Sequence, residues 1–172
     1  MPSRHLSADG HGQENVLYIL LELTSELAAY RIHSAQQPLV HLTTMSTLKR
    51  SPTPSQMKAG EILIPKPNCS FPTAYIYTSN RDDPHPAGDT IAIFSLEKTE
   101  DPELVAEVFT GLKHVRGMMF GGEDDRWLIV GGVGGGGIKM YERVKGGREL
   151  RQIAELDQAV GSKLKPTSFL WL

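Results

Sequence analysis

Ala74-Tyr75-Ile76-Tyr77-Thr78, followed shortly by Ile91-Ala92-Ile93-Phe94, decides the reading of this chain. It is an apolar strand with an aromatic at its start, a turn, and a second strand closing on an aromatic. Two other stretches overlay on it. Leu17-Tyr18-Ile19-Leu20-Leu21-Glu22 precedes Leu27-Ala28-Ala29-Tyr30, and Arg126-Trp127-Leu128-Ile129-Val130 precedes Ile138-Lys139-Met140-Tyr141. The leading aromatics Tyr18, Tyr75 and Trp127 lie 57 and 52 residues apart. A self-similar period near 50 residues marks a β-propeller, in which each blade is about four antiparallel strands.

Short apolar pieces supply the other two strands of each unit. Leu6–Ala8, Ile62–Ile64 and Met118–Phe120 come before the pairs, and Leu39–Thr43, Leu104–Phe109 and Leu150–Leu156 come after them. Turn formers separate the strands, and Thr47–Lys58 reads as an inter-blade loop. Leu20–Ile32 has the Leu, Glu and Ala content of a helix. Its two equivalents are β-branched or glycine-interrupted, so a strand pair is expected there too. The expected fold is all-β, a partial propeller of about three blades in one domain spanning residues 1–172. Its units cover about 4–48, 58–112 and 114–157, with a closing segment at 165–172. The open flanks of such an arc are expected to self-associate.

Charge and composition narrow the function. Eighteen Lys and Arg against twenty Asp and Glu give a net charge of −2, with no basic stripe, which argues against nucleic acid. The longest apolar run, Val16–Leu21, is far short of the ~20 residues that span a bilayer, so no membrane is expected. Met1–Gln13 is polar and lacks the apolar stretch of a secretory signal, which makes the cytoplasm the expected compartment. Cys69 is the single cysteine; it admits neither an internal disulfide nor a Cys-based zinc cluster.

Three conspicuous motifs are set aside. Gly132, Gly134 and Gly137 satisfy G-x-G-x-x-G after a strand, but the phosphate-binding form needs a helix next. Ile138–Val144 alternates as a strand instead, so Gly131–Gly137 reads as a flexible hairpin loop. The histidines His5, His11, His33, His41, His85 and His114 show no metal-ligand spacing, and no metal or cofactor is expected. No G-x-S-x-G elbow is present, and Cys69 sits among Pro67, Asn68 and Pro72 without a neighbouring histidine.

The charged residues beside the strands are more informative. In an antiparallel pair the start of one strand and the end of the next share an edge. Across blades, that edge collects Arg4, His5, Glu22, Glu61, Asn80, Arg81, His114 and Arg116. Cations, carboxylates and imidazoles are thereby expected together on one rim near the propeller axis.

At these residues the chain resembles the 6-phosphogluconolactonase-type seven-bladed β-propellers, a family that also contains carboxy-cis,cis-muconate cyclase. Arg4-His5 resembles the family's G-P-R-H, Leu17–Glu22 its Y-v-v-n-E strand, and Tyr75–Arg81 its Y-v-S-N-R. Asp89–Ser95 resembles d-s-I-a-v-F, Val115-Arg116 stands at its P-R, and Trp127–Val130 resembles f-L-l-V. Lys165–Leu172 is similar to the closing segment, so the chain corresponds to the family's C-terminal half. Ser3 and Val115 replace the prolines of two motifs, and Gly131-Gly132 replaces Asn-Gln. The resemblance implies hydrolysis of a phosphorylated gluconolactone, a small anionic substrate. Ester hydrolysis needs a base for water and cations for the anionic group. His5 and Glu22 are the candidate bases; Arg4, Asn80, Arg81 and Arg116 are the candidate substrate-binding residues. The same set serves a cycloisomerase, in which His5 and Glu22 shuttle a proton. A non-catalytic propeller fragment acting as a scaffold is the third reading.

Overall fold

The structure, a computed structural model, describes residues 15–34, 36–50, 57–156 and 163–171. Blade 1 is an antiparallel sheet of β1 (Asn15–Leu21), β2 (Glu26–Ile32) and β3 (Val40–Ser46). Blade 2 contains β4 (Lys58–Leu63), β5 (Tyr75–Arg81), β6 (Thr90–Ser95) and β7 (Glu103–Phe109). Blade 3 contains β8 (Lys113–Gly121), β9 (Trp127–Gly135), β10 (Gly137–Val144) and β11 (Glu149–Glu155). Strands pair with their sequence neighbours throughout, so each blade is a meander. The chain is a partial propeller, as its period implied. Leu20–Ile32 is a hairpin rather than a helix: the pairs Leu20↔Leu27 and Tyr18↔Ala29 close it. The first strand expected at Leu6–Ala8 lies outside the described residues.

The register corrects the repeat in one respect. The terminal pairs of the three equivalent hairpins are Leu21↔Glu26, Asn80↔Thr90 and Gly132↔Gly137. Counted back from them, Tyr18 matches Tyr77, whereas Tyr75 matches Trp127. The repeating unit is instead a cross-strand pair of an aliphatic and an aromatic residue: Leu17↔Tyr30, Ile76↔Phe94 and Leu128↔Tyr141. Sequence reading anchored on the first aromatic of each strand, and strand starts vary more than hairpins do.

Packing of blade on blade makes the core. Tyr18, Leu20, Leu27 and Met45 of blade 1 pack on Ile76, Ala92 and Phe94 of blade 2. Tyr75, Tyr77, Ile91 and Ile93 from the other face of blade 2 pack on Val115, Met118, Leu128, Val130 and Tyr141 of blade 3. Every residue of β5 and β6 is therefore buried, where β1 alternates. The second contact also encloses a cation. The Arg143 guanidinium lies 3.9 Å from the Phe71 ring centre and faces the rings of Tyr77 and Phe120 as well. Its Nε donates to the Tyr77 hydroxyl at 3.2 Å, and that hydroxyl donates to the Gly147 carbonyl. Burial pushes the Tyr77 phenol up to about 12, so it stays a donor.

Gly131–Gly137 is not the flexible loop expected. β9 runs on through Gly135 and pairs with β8, and the chain reverses through Gly135, Gly136 and Gly137, at φ +144°, +83° and +73°. The glycines upstream serve close approach. A Cβ at Gly131 would meet Pro166 and Phe169, and one at Gly121 would fall inside the Trp171 indole, which stacks on Trp127. The segment 163–171 thus lies across the bare glycine backbone of blade 3.

Two outcomes are expected from this packing. Arg143→Ala removes a desolvated cation from its aromatic cage and lowers stability by about 2 kcal/mol or more, read from urea unfolding. Gly121→Ala dislodges the C-terminal segment while leaving the blades folded, read as altered tryptophan emission with an unchanged far-ultraviolet spectrum.

Candidate functional site

The rim forms where β5 ends, beside β4 and β8. β4 carries an irregularity between Ala59 and Ile62, and Gly60 sits in it. A Cβ there would press on the Ser79 hydroxyl, the Val115 carbonyl and the Arg81 side chain. The bare backbone lets β4, β5 and β8 converge at one point, and the Ser79 Oγ accepts the Glu61 N–H at 2.9 Å.

Arg81 is the centre of this convergence. Its side chain is 7% exposed and pairs with the Glu22 carboxylate from the β1–β2 turn. One terminal nitrogen also lies 3.4 Å from the Ala59 carbonyl, and the other lies 3.4 Å from His114 Nε2. Arg81 Nε is buried without a hydrogen-bond partner, an unspent donor.

His114 and Asp82 form a second couple. His114 Nδ1 lies 2.8 Å from Asp82 Oδ1. The carboxylate accepts the Nδ1–H, which leaves the Nε2 lone pair on the Arg81 side. Both residues occupy the left-handed region, at φ 61° for Asp82 and φ 56° for His114. Only a few per cent of non-glycine residues sit there, Asn, Asp and His more readily than the rest, and such backbone clusters at working sites. Buried Asp89 holds the two segments in this arrangement, accepting the Asp83 N–H at 3.0 Å and the Val115 N–H at 2.9 Å. Glu61 completes the rim. Burial raises its carboxyl above the ordinary range, and Arg116 and Arg81 pull it back down.

The sequence-chosen residues fare differently. Glu22 and Arg81 are in contact. Arg116 is exposed on β8 and acts on Glu61 through charge. Asn80 requires a correction: it is fully buried and its amide is already spent. It donates to the Thr47 carbonyl and the Thr90 hydroxyl, and the Thr47 hydroxyl lies 2.5 Å from its Oδ1. It ties blade 2 to the end of blade 1 and has no hydrogen left for a substrate carbonyl. Arg4 and His5 lie outside the described residues. Asp82 was missed, because Asp82-Asp83-Pro84 reads simply as a turn; its one signal is that it directly follows Ser79-Asn80-Arg81. Among the described residues no group of three His, Cys, Asp or Glu side chains is placed to hold a metal ion. A hollow of about 430 Å³ between blades 1 and 2, lined by Thr43, Met45, Lys98 and Glu103 among others, lies away from these residues.

The model of a family described as lactonase, 7-bladed β-propeller, matches residues 2–164. The chain belongs to this lactonase family. Solved structures share its fold. One is a candidate 6-phosphogluconolactonase of Bacteroides fragilis, 22% identical with a TM-score of 0.64, covering 89% of this chain and 37% of that one. A second is the periplasmic gluconolactonase PpgL of Pseudomonas aeruginosa, 14% identical with a TM-score of 0.62, covering 81% and 36%. A third is a candidate 6-phosphogluconolactonase of Bacteroides uniformis, 20% identical with a TM-score of 0.61, covering 80% and 35%. The chain therefore spans 35–37% of the length of these lactonase-like propellers, less than the half expected. No curated protein matches it.

The Glu61 carboxyl gives the site a pH dependence. Above the ordinary glutamate range and below its raised value, Glu61 retains its proton and no longer offsets the charge of Arg116 and Arg81. Anion affinity is then expected to rise as pH falls through that window. Sulfate, which stays fully ionised throughout, is the probe. Calorimetric titration of parent and Glu61→Gln checks it: the glutamine variant loses the pH dependence that this carboxyl supplies.

Proposed function

We propose that this rim binds and hydrolyses a lactone carrying an anionic group, a phosphorylated gluconolactone being the leading substrate. The observation that carries the reading is the meeting of Arg81, with its unspent Nε donor, and the His114–Asp82 couple at one point. A buried guanidinium is a strong partner for phosphate or carboxylate, because its planar fork bonds in two places at once. Glu22 occupies part of that fork. Its own side chain is more than half exposed, so an incoming anion displaces it toward solvent at little cost.

The chemistry follows from these placements. Water attacks the lactone carbonyl, and a base takes the proton as the C–O bond forms. The ring ester bond then breaks, and the proton goes to the departing alkoxide, giving the open hydroxy acid. His114 is oriented for this by Asp82, which fixes the tautomer with Nε2 as the acceptor; its lone pair faces Arg81 and becomes available to water once the substrate's anionic group draws the guanidinium away. Glu22, displaced from Arg81, is the other base within the site. Arg81 and Arg116 supply positive charge to the developing oxyanion or to the substrate's anionic group. Membership of the lactonase family and the fold shared with gluconolactonases support the reading.

The test combines binding and turnover. Calorimetry with 6-phosphogluconate, the product, is expected to show binding to the parent and a loss of tenfold or more in Arg81→Ala. That loss follows from removing hydrogen bonds to a charged group worth roughly 1.5–3 kcal/mol. Arg81→Lys restores only part of it. Glu22→Gln is expected to bind at least as well as the parent, since the competing charge is gone, while turning over more slowly. His114→Ala is expected to lose kcat with KM nearly kept, and added imidazole to return part of the rate. A parent that binds 6-phosphogluconate but opens no lactone would leave the scaffold reading standing. Equal binding by parent and Arg81→Ala would make this arginine purely structural.

A further inference from the structure

The blade-on-blade contact occurs twice within the chain, and both of its halves occur once more without a partner among the described residues. Each blade has a leading face, turned to the blade before it, and a trailing face, turned to the blade after it. On the leading faces of blades 2 and 3, Ile76 and Thr78 and their equivalents Leu128 and Val130 are fully buried. The same positions in blade 1 are Leu17 and Ile19, and these, with Leu21, are each more than a third exposed. The register puts Tyr30 beside Leu17 on that face, as Phe94 lies beside Ile76.

The trailing face of blade 3 mirrors this. Tyr77 and Ile93, a cross-strand pair on the trailing face of blade 2, are fully buried against blade 3. Their equivalents in blade 3 are Ile129 and Met140, which with Ile138, Ala154 and Leu156 line a shallow apolar hollow. The C-terminal segment covers only the part above Gly117, Gly121 and Gly131, and it leaves its own Leu170 four-fifths exposed.

We propose that two copies of this chain associate head to tail, the leading face of blade 1 in one seating on the trailing face of blade 3 in the other. The occupant is argued from the interface the chain already makes twice: one molecule carries both complementary halves, apolar against apolar, at the same repeat positions. The pairing is heterologous, because a leading face has its counterpart in a trailing face and not in itself. The self-association expected from the open flanks is here assigned to sheet faces. The inference stands apart from the lactone reading, since none of these residues belongs to the rim.

Sedimentation velocity over a concentration series tests it. The parent is expected to form dimers or larger species as concentration rises. Leu17→Glu spoils the leading face and Met140→Glu the trailing face, and each variant alone is expected to be monomeric with the parent's circular dichroism. Mixed in equal amounts they are expected to form a heterodimer that grows no further, because one intact face of each kind remains. Should either variant unfold, Ile19→Ser and Ala154→Glu form the equivalent pair. A parent monomeric at the highest soluble concentration overturns the proposal. So does a trailing-face variant that dimerises on its own, which would mean leading face on leading face, or a mixture that stays monomeric.

Discussion

A sheet in water has two faces to cover, and the middle blade of this chain covers both with its neighbours. That sandwich is the constraint on which the rest depends. Burial of every β5 and β6 residue removes water from both sides of one sheet and fixes how blades 1 and 3 are set against it. Hydrophobic burial is non-directional, so it does not by itself choose an angle between sheets. The directional parts here are the Arg143 cage between β10 and the aromatic rings, and the Asp89 carboxylate that bonds both the Asp83 and the Val115 N–H groups. Burial raises the Asp89 carboxyl above the ordinary range, yet two backbone donors oppose the shift and hold it as an acceptor.

The rim is a consequence of that setting. With β4 and β8 brought together at Gly60, the ends of three strands and one turn share a small space. Arg81 enters it from β5, Glu22 from blade 1 and His114 from blade 3. Each blade therefore contributes a group, and no single blade makes the site. The strained residues Asp82 and His114 follow from the same demand. Both segments must bend sharply to put a carboxylate and an imidazole within hydrogen-bond reach, and packing of the blades holds the bend.

Incomplete coverage has consequences of its own. Among the described residues, the outer faces of blades 1 and 3 are less covered than the faces that meet blade 2. The chain answers part of this on blade 3, where Pro166, Phe169 and Trp171 lie over glycines whose missing side chains make room. The glycine run is therefore a packing surface for a distant segment. Its composition alone suggested flexibility, because glycine serves turns and close approaches equally well.

The sequence by itself determined the strands, their meander and the blade period, because alternation and turn chemistry are local and act within a few residues. It also placed Glu22 and Arg81 on one rim, since strand ends share an edge whatever the angle between blades. Tertiary structure decided which of the rim's groups are free to act. Asn80 looked available and is spent on Thr47 and Thr90, whereas Asp82 looked like a turn residue and orients His114. The decisive contacts join residues 59 apart for Arg81 and Glu22, and 32 apart for His114 and Asp82. Separations of that size are set by how one sheet packs on the next, and no pattern of period two carries that angle.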